Sequence, residues 1–533
     1  MIDFKAPVED IIFTLEHVLN ASSTPSWDSK LTKEILIHFA NFAENEIAPI
    51  NEIGDVEGCR FDNGNVYLPK EFKQVYKSFV EQGWHGLTIP EKYDGQGMSA
   101  VILGAVNEIY IGACHSMQMI TGLVPGAVRL LNAFGTDKQK DEILPLFASG
   151  NWLATMCLTE PSAGSDLSVI RSKASKSGGN WVIDGEKIFI SGGGQDLSQR
   201  ILHIVLARSG SLEDGVKGLS LFLCRSHDDD GNKNAVSVDR IEEKMGLHAS
   251  PTCQLSFDNC QAELIGKEGE GLRAMFTLMN HARIDVGLQG AAHAARASHI
   301  AKSYAAERRQ GRTAGSDGQV LIEKHKDVAD MLMEQEALAM GSRAMCLYAL
   351  LNLEEESKYD LVDFLTPICK SFSSEAGIRA ADLGIQVLGG YGYLHEYRIE
   401  QIYRDARITS IYEGTNSIHG LTLASRLLKV ENGAAANAFE TMVQEVIDNH
   451  ASSSRLMASL KLWQKKRNKI LVENQPEENS YAFMKLSGLV AYQTMWLKIV
   501  AAANKHGNPH RLIQLGEFVA KRASVEARYW SEI

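Results

Sequence analysis

The chain offers no cysteines at metal-binding spacing. Its eight cysteines, Cys59, Cys114, Cys157, Cys224, Cys253, Cys260, Cys346 and Cys369, are scattered, without a CxxC or a histidine partner at ligand spacing. That pattern argues against a metal site and for reduced, mostly buried thiols. Basic charge is scarce: 54 Lys and Arg stand against 66 Asp and Glu, a formal net charge of −12. A dominant nucleic-acid surface would need the opposite balance. No GxGxxG joins a strand to a helix, so a dinucleotide site of that kind is unsupported. The opening "MIDFKAPVED" lacks the apolar core of a secretory signal. No apolar run is read as reaching the roughly 18 residues that a bilayer demands. These absences point to a protein of the reducing cytoplasm, with no membrane span and no nucleic-acid partner.

The 533 residues, 44% apolar and 23% charged, suit a soluble protein of three or four domains at roughly 150 residues each. Residues 1–155 read as a helical domain. "LTKEILIHFANFAENEIAPI" (31–50) sets Leu31, Ile35, Phe39, Phe42 and Ile47 at helical spacing, and "DKQKDEILPLFASG" (137–150) reads as a short helix. Residues 156–267 change to a period of two. "NWVIDGEKIFIS" predicts a hairpin at Asp184-Gly185, and 201–208, 218–225 and 253–260 read as further strands of a small barrel or sandwich. Residues 268–430 return to helical spacing, with an alanine-rich stretch at 271–309 suited to a bundle. "ENGAAAN" reads as a linker, and 431–533 as an additional helical domain. The predicted fold class is α+β multidomain: an N-terminal α-helical domain, a middle β-barrel or sandwich, a C-terminal four-helix bundle and an extra C-terminal helical region.

Four stretches can carry chemistry. "MCLTEPSAGSDL" (156–167) lies where helices give way to strands; its Pro, Gly and hydroxyl residues suit a loop that holds a polar ring edge or phosphate. In "KIFISGGG" (187–194), Phe189 and Ser191 stand two apart, on one face of a regular strand. "NHARIDVG" (280–287) and "AERRQGRT" (306–313) supply arginines whose planar forks suit phosphate. "QVLGGYGYLHEYRIEQIYRDARITSIYEGTN" (386–416) ends on Glu413, just before the N-cap candidates Thr415 and Asn416. Each also has a plain structural reading: a turn, a core aromatic, a solvated charged face, a helix cap.

Taken together and in this order, the four motifs resemble the acyl-CoA dehydrogenase family over about residues 35–430. The resemblance implies FAD as cofactor and α,β-dehydrogenation of an acyl-CoA thioester, with electrons passing to an electron-transfer flavoprotein. It implies that Glu413 is the base. Met156, Leu158, Thr159, Ser165, Phe189 and Ser191 would contact FAD, and Phe189 stands where tryptophan is frequent. Arg308, Gln386, Gly389 and Gly390 would meet the flavin of a second subunit in a homodimer or tetramer. Thr415 would contact the cofactor's diphosphate or ribose. Ser165, Asn280, Arg283, Tyr412 and Gly414 would contact the acyl-CoA; Asn280 stands where many members have aspartate. Some members place the base just before the arginine equivalent to Arg283, where this chain has Ala282.

The wording of "TMCLTEP" and "AERRQGR", with the C-terminal extension, resembles the 3-(methylthio)propanoyl-CoA dehydrogenase-like branch. That implies action on this thioester or on other short to medium acyl-CoAs. Two alternatives stay open: an acyl-CoA oxidase, and an alkylation-response-like flavoprotein that binds DNA.

Overall fold

The computed structural model describes residues 2–24, 27–228, 230–506 and 509–533. They cluster into two compact units. One joins 45–99 with 114–282; the other joins the N-terminal 44 residues, 100–113 and 283–533.

Among the described residues, the first unit holds all the strands. A short hairpin, β1 (Arg60–Asp62) and β2 (Asn65–Tyr67), precedes β3 (Trp152–Cys157), β4 (Lys173–Ser177), β5 (Asn180–Ser191), β6 (Arg200–Arg208), β7 (Leu219–Arg225), β8 (Val236–Ile241) and β9 (Thr252–Ile265). The pairings β6–β4, β4–β5, β5–β9, β9–β7 and β7–β6 close a ring, so the expected barrel is present. β3 adds in parallel to β6 and β8 antiparallel to β9. Inward side chains such as Ile183, Val205, Phe222 and Leu255 fill its core.

The expected hairpin at Asp184-Gly185 is not there. β5 runs through it as one strand, and the dipeptide marks a register shift against β9. The turn falls instead at Gly178-Gly179, between Ser177 and its partner Asn180. Both glycines have positive φ, 57° and 91°, as a two-residue hairpin turn of the favoured twist requires. A second shift lies between Lys187 and Ile190, where Phe189 takes φ 60°. One extra residue there breaks the period of two. Lys187, which strict alternation would place with Phe189 and Ser191, is wholly buried, whereas Phe189 is 60% exposed. The bulge thus parts Lys187 from Phe189; Ser191, half-buried, follows it on β5.

In the second unit, helices Gly271–Ala305 (from Arg283 onward), Lys326–Leu351, Tyr359–Leu388 and Asn416–Ala424 form the bundle. A Cβ at Gly290 would sit 1.9 Å from the Ser373 carbonyl oxygen, so two of these helices pack backbone to backbone. Ala434–Asp448, Ser454–Glu473, Pro476–His506 and Pro509–Glu532 form the extra helical region. Its core holds the aromatic rings of Phe439, Trp463 and Phe483; Trp463 stacks on Phe483, and Phe364 of the bundle meets Phe439 at a tilt and Trp463 edge-on. "ENGAAAN" is no linker. Glu431 and Asn432 are left-handed, the next helix starts at Ala434, and Ala435 and Ala436 are buried. Leu31, given to the apolar face, is 41% exposed; Leu36 takes the buried place.

Two helices among the described residues, Ala100–Thr121 and Pro476–His506, are long and apolar enough by composition to cross a membrane. The reading of short apolar runs missed both, because scattered polar residues interrupt them. They are 94% and 78% buried within the fold, which makes them core helices.

Candidate active site

Glu413 sits at a forced bend. It has φ 54° and Gly414 has φ 90°, so two left-handed residues in a row halt the chain before helix Asn416–Ala424. Thr415 caps that helix, its Oγ1 accepting from the Ile418 N–H at 3.4 Å. Capping is thereby assigned to Thr415, and Glu413 is not needed for it. The bend is costly for a residue with a Cβ, and three side chains hold it. His419 Nε2 donates to the Glu413 carbonyl at 3.0 Å, and Arg283 Nε donates to the same oxygen at 3.4 Å. Lys370 Nζ donates to the Gly414 carbonyl at 2.7 Å and to Asn416 Oδ1 at 2.9 Å. Asn416 Nδ2 in turn reaches Ser374 Oγ and Glu375 Oε1, both at 3.2 Å.

One oxygen of the Glu413 side chain is left unengaged. Its Oε2 is buried with no hydrogen-bond partner among the described residues. Burial raises its pKa above the ordinary glutamate range, against the pull of the Arg283 and Lys370 charges. The neighbours respond to the same dry surroundings. Burial, helped by Arg283, pushes Lys370 down to about 7. Burial, with the Arg283 and Lys370 charges, pushes His419 down to about 3, so its ring is neutral. A carbonyl only accepts, hence its proton is on Nε2. Tyr412 donates from its hydroxyl to Gln289 Oε1.

The helix of Asn416–Ala424 packs on Pro476–His506 of the extra region. A Cβ at Gly420 would come within 3.0 Å of the Ser480 carbonyl. Lys485 pairs with Glu375, beneath Asn416. The extension thus backs the helix that follows Glu413.

In the strand unit, Met156 lies on β3, half-buried, and Leu158 is buried just beyond it. Thr159 is half-buried and Ser165 exposed. Glu160 and Ala163 exchange backbone hydrogen bonds at 3.0 Å around Pro161-Ser162. Two N–H groups of this irregular loop are thus consumed within it. Below the loop, Lys187 Nζ donates to the Leu158 carbonyl at 2.9 Å and to Glu160 Oε1 at 2.8 Å. Glu160 also accepts from the Arg171 and Ser172 N–H groups. Burial alone would raise its pKa, but Lys187 and these donors hold it below the ordinary range. Ile188 N–H reaches the Thr159 carbonyl at 2.9 Å, which ties the loop to the strand that carries Phe189.

Arg308 lies beyond its expected helix, which ends at Ala305. Its guanidinium stands 5.9 Å from the Tyr391 ring. Gln386, Gly389 and Gly390 are exposed in the same unit, and a Cβ at either glycine would meet nothing within 4 Å. Asn280 is half-buried on the helix that also carries Arg283.

The acyl-CoA dehydrogenase N-terminal, middle and C-terminal domain models match residues 30–151, 155–260 and 269–428. The chain belongs to the acyl-CoA dehydrogenase family. It is 38% identical over 466 residues to 3-methylmercaptopropionyl-CoA dehydrogenase of Ruegeria pomeroyi, covering 83% of this chain and 79% of that one. It is 33% identical to a broad-specificity linear acyl-CoA dehydrogenase of Mycobacterium tuberculosis, over 86% of this chain and 80% of that one. A Bacillus anthracis acyl-CoA dehydrogenase structure shares the fold, extra helices included, with a TM-score of 0.78 over 96% of this chain and 88% of that one, at 22% identity. Acyl-CoA dehydrogenases are FAD-dependent oxidoreductases that act on the CH–CH bond of an acyl-CoA. This chain's residues fit such a group: Phe189 offers an exposed ring, Gly389 and Gly390 leave open space, and Glu413 keeps a buried oxygen unpaired.

Lys370, His419, Lys187 and Glu160 went unread in the sequence. A signal existed for the two lysines. Each is a single cation set among apolar residues, "TPICKSFSS" and "EKIFIS", and buried lysines are rare unless paired.

Proposed function

We propose that this acyl-CoA dehydrogenase removes the α-proton of its thioester substrate with Glu413. The observation that carries the reading is the unpartnered, buried Oε2 on a residue whose own backbone is held by His419 and Arg283. A carboxylate stripped of water and hydrogen bonds is a stronger base than one in solution, which a weakly acidic α-proton demands. The Arg283 and Lys370 charges oppose that rise by favouring the carboxylate form. Bound FAD supplies the acceptor for the hydride that leaves the β-carbon. Thr159 and Ser191 offer hydroxyls, and Phe189 a ring face, to the isoalloxazine; Met156, Leu158 and Ser165 flank them. Arg308, Gln386, Gly389 and Gly390 are offered to the flavin of a second copy, and Thr415 to the cofactor's diphosphate or ribose. Gly414, Tyr412, Asn280 and Arg283 contact the thioester or CoA.

The substrate we infer is 3-(methylthio)propanoyl-CoA or another short to medium acyl-CoA. An electron-transfer flavoprotein takes the electrons, and the enzyme works as a homodimer or tetramer in the cytoplasm. Mixing the FAD-loaded protein anaerobically with a panel of acyl-CoA thioesters tests this. Bleaching is expected to be fastest with 3-(methylthio)propanoyl-CoA and its straight-chain counterparts, with slow reoxidation in air. Rapid reoxidation would make it an oxidase; no bleaching by any thioester would remove the reading.

A further inference from the structure

Lys370 is unusual in its unit. Its side chain has no exposed surface, and it projects from the middle of helix Tyr359–Leu388. It spends its hydrogen bonds on the Gly414 carbonyl and Asn416 Oδ1, one on each side of Thr415. Charged neighbours surround it unevenly. Arg283 repels it, while Glu413 and Glu375 attract it. Glu375, however, is engaged by Lys485 and by the Asn416 amide. His419 also faces the site, but neutral. The carboxylate left to balance this ammonium is Glu413, whose Oε2 is bonded to nothing among the described residues. The cation therefore acts on the charge of Glu413 while its bonds are committed to the Gly414 carbonyl and the Asn416 side chain.

We propose that Lys370 is a positioning residue for proton abstraction: it clamps the left-handed bend that aims Glu413, and it brings a positive charge to the residue next to Glu413. The proposal rests on the assignment of Glu413 as base. The two halves have separable consequences. Loss of the clamp slows the reaction at every pH. Loss of the charge moves the protonation of Glu413 to higher pH, because an opposing positive charge favours the carboxylate. Arginine keeps the charge with a different shape.

The test uses the FAD-loaded protein with Lys370→Met, Lys370→Arg and Asn416→Ala. The first readout is the infrared carboxyl band of Glu413 against pH, in protein carrying ¹³C-labelled glutamate, with Glu413→Gln subtracted. The second is the pH profile of single-turnover bleaching by acyl-CoA. Lys370→Met is expected to move the carboxyl midpoint to higher pH and to slow bleaching at least tenfold. Lys370→Arg restores the midpoint towards that of the wild type. Asn416→Ala, which removes an acceptor but no charge, slows bleaching with the midpoint unmoved. It reports on the clamp even where Lys370→Met does not fold. A midpoint unmoved in Lys370→Met, or an unslowed Asn416→Ala, overturns the proposal. If wild-type protein bleaches with no thioester, the proposed function fails instead, and the infrared titration still decides the charge effect of Lys370.

Discussion

Adding one methyl group at Gly414 strikes the bend directly. Gly414 has φ 90°, beyond the narrow left-handed well that other residues can visit, and an alanine there costs about 1–2 kcal/mol. The new Cβ would also lie 3.1 Å from His419 Nε2, inside the usual contact distance of roughly 3.5–4.0 Å. Moving the ring away breaks its bond to the Glu413 carbonyl, a net loss of about 0.5–1.5 kcal/mol. The loop is thus loaded with about 2–3 kcal/mol, which it sheds by letting Glu413 shift. If the full amount is felt in the transition state, Gly414→Ala slows the chemical step roughly 30- to 150-fold, at about 1.4 kcal/mol per tenfold. Stopped-flow single-turnover bleaching reads that step without product release. FAD content measured alongside should match the wild type. A variant that bleaches at the wild-type rate would show that neither the bend nor His419 positions the base.

Four further outcomes are expected. Glu160→Gln leaves the wholly buried Lys187 ammonium without its counter-charge, a loss of about 3–5 kcal/mol; denaturant unfolding should show it, and the added change Lys187→Met should recover most of it. Because burial raises the folded pKa of Glu413, its contribution to stability is present at acid pH and lost as pH rises through that value. Glu413→Gln should therefore melt higher than wild type at pH 8, by a margin that shrinks towards pH 4; a constant margin would contradict the raised value. The same shift places the acid limb of kcat/KM above the ordinary glutamate range of about 4.3. Arg308→Ala removes a charged donor of about 1.5–3 kcal/mol, so a purified oligomer should hold FAD roughly 10- to 100-fold more weakly, and unchanged retention would count against its role.

Local pattern carried much of the fold. Periods of two and 3.6 marked the barrel and the bundle, and the order of four motifs pointed to the family. It erred where two local signals competed. Asp184-Gly185 and Gly178-Gly179 both look like turns, but only the second lets β4 and β5 pair, a matter of long-range register. "ENGAAAN" reads as a spacer until Ala435 and Ala436 meet a core supplied from elsewhere in the chain. At the site, Glu413 read by itself suited a helix cap, and only the family resemblance of "RDARITSIYEGTNSI" pointed to it as the base. The groups that govern it were not legible, because Lys370 is 43 residues away in sequence and becomes a neighbour only when the bundle closes.

The central claim is that Glu413 takes the proton. Anaerobic titration of FAD-loaded Glu413→Gln with a thioester that bleaches the wild type tests it most directly. Bleaching is expected to vanish while the yellow flavin and tight thioester binding persist; bleaching at the wild-type rate would contradict the account.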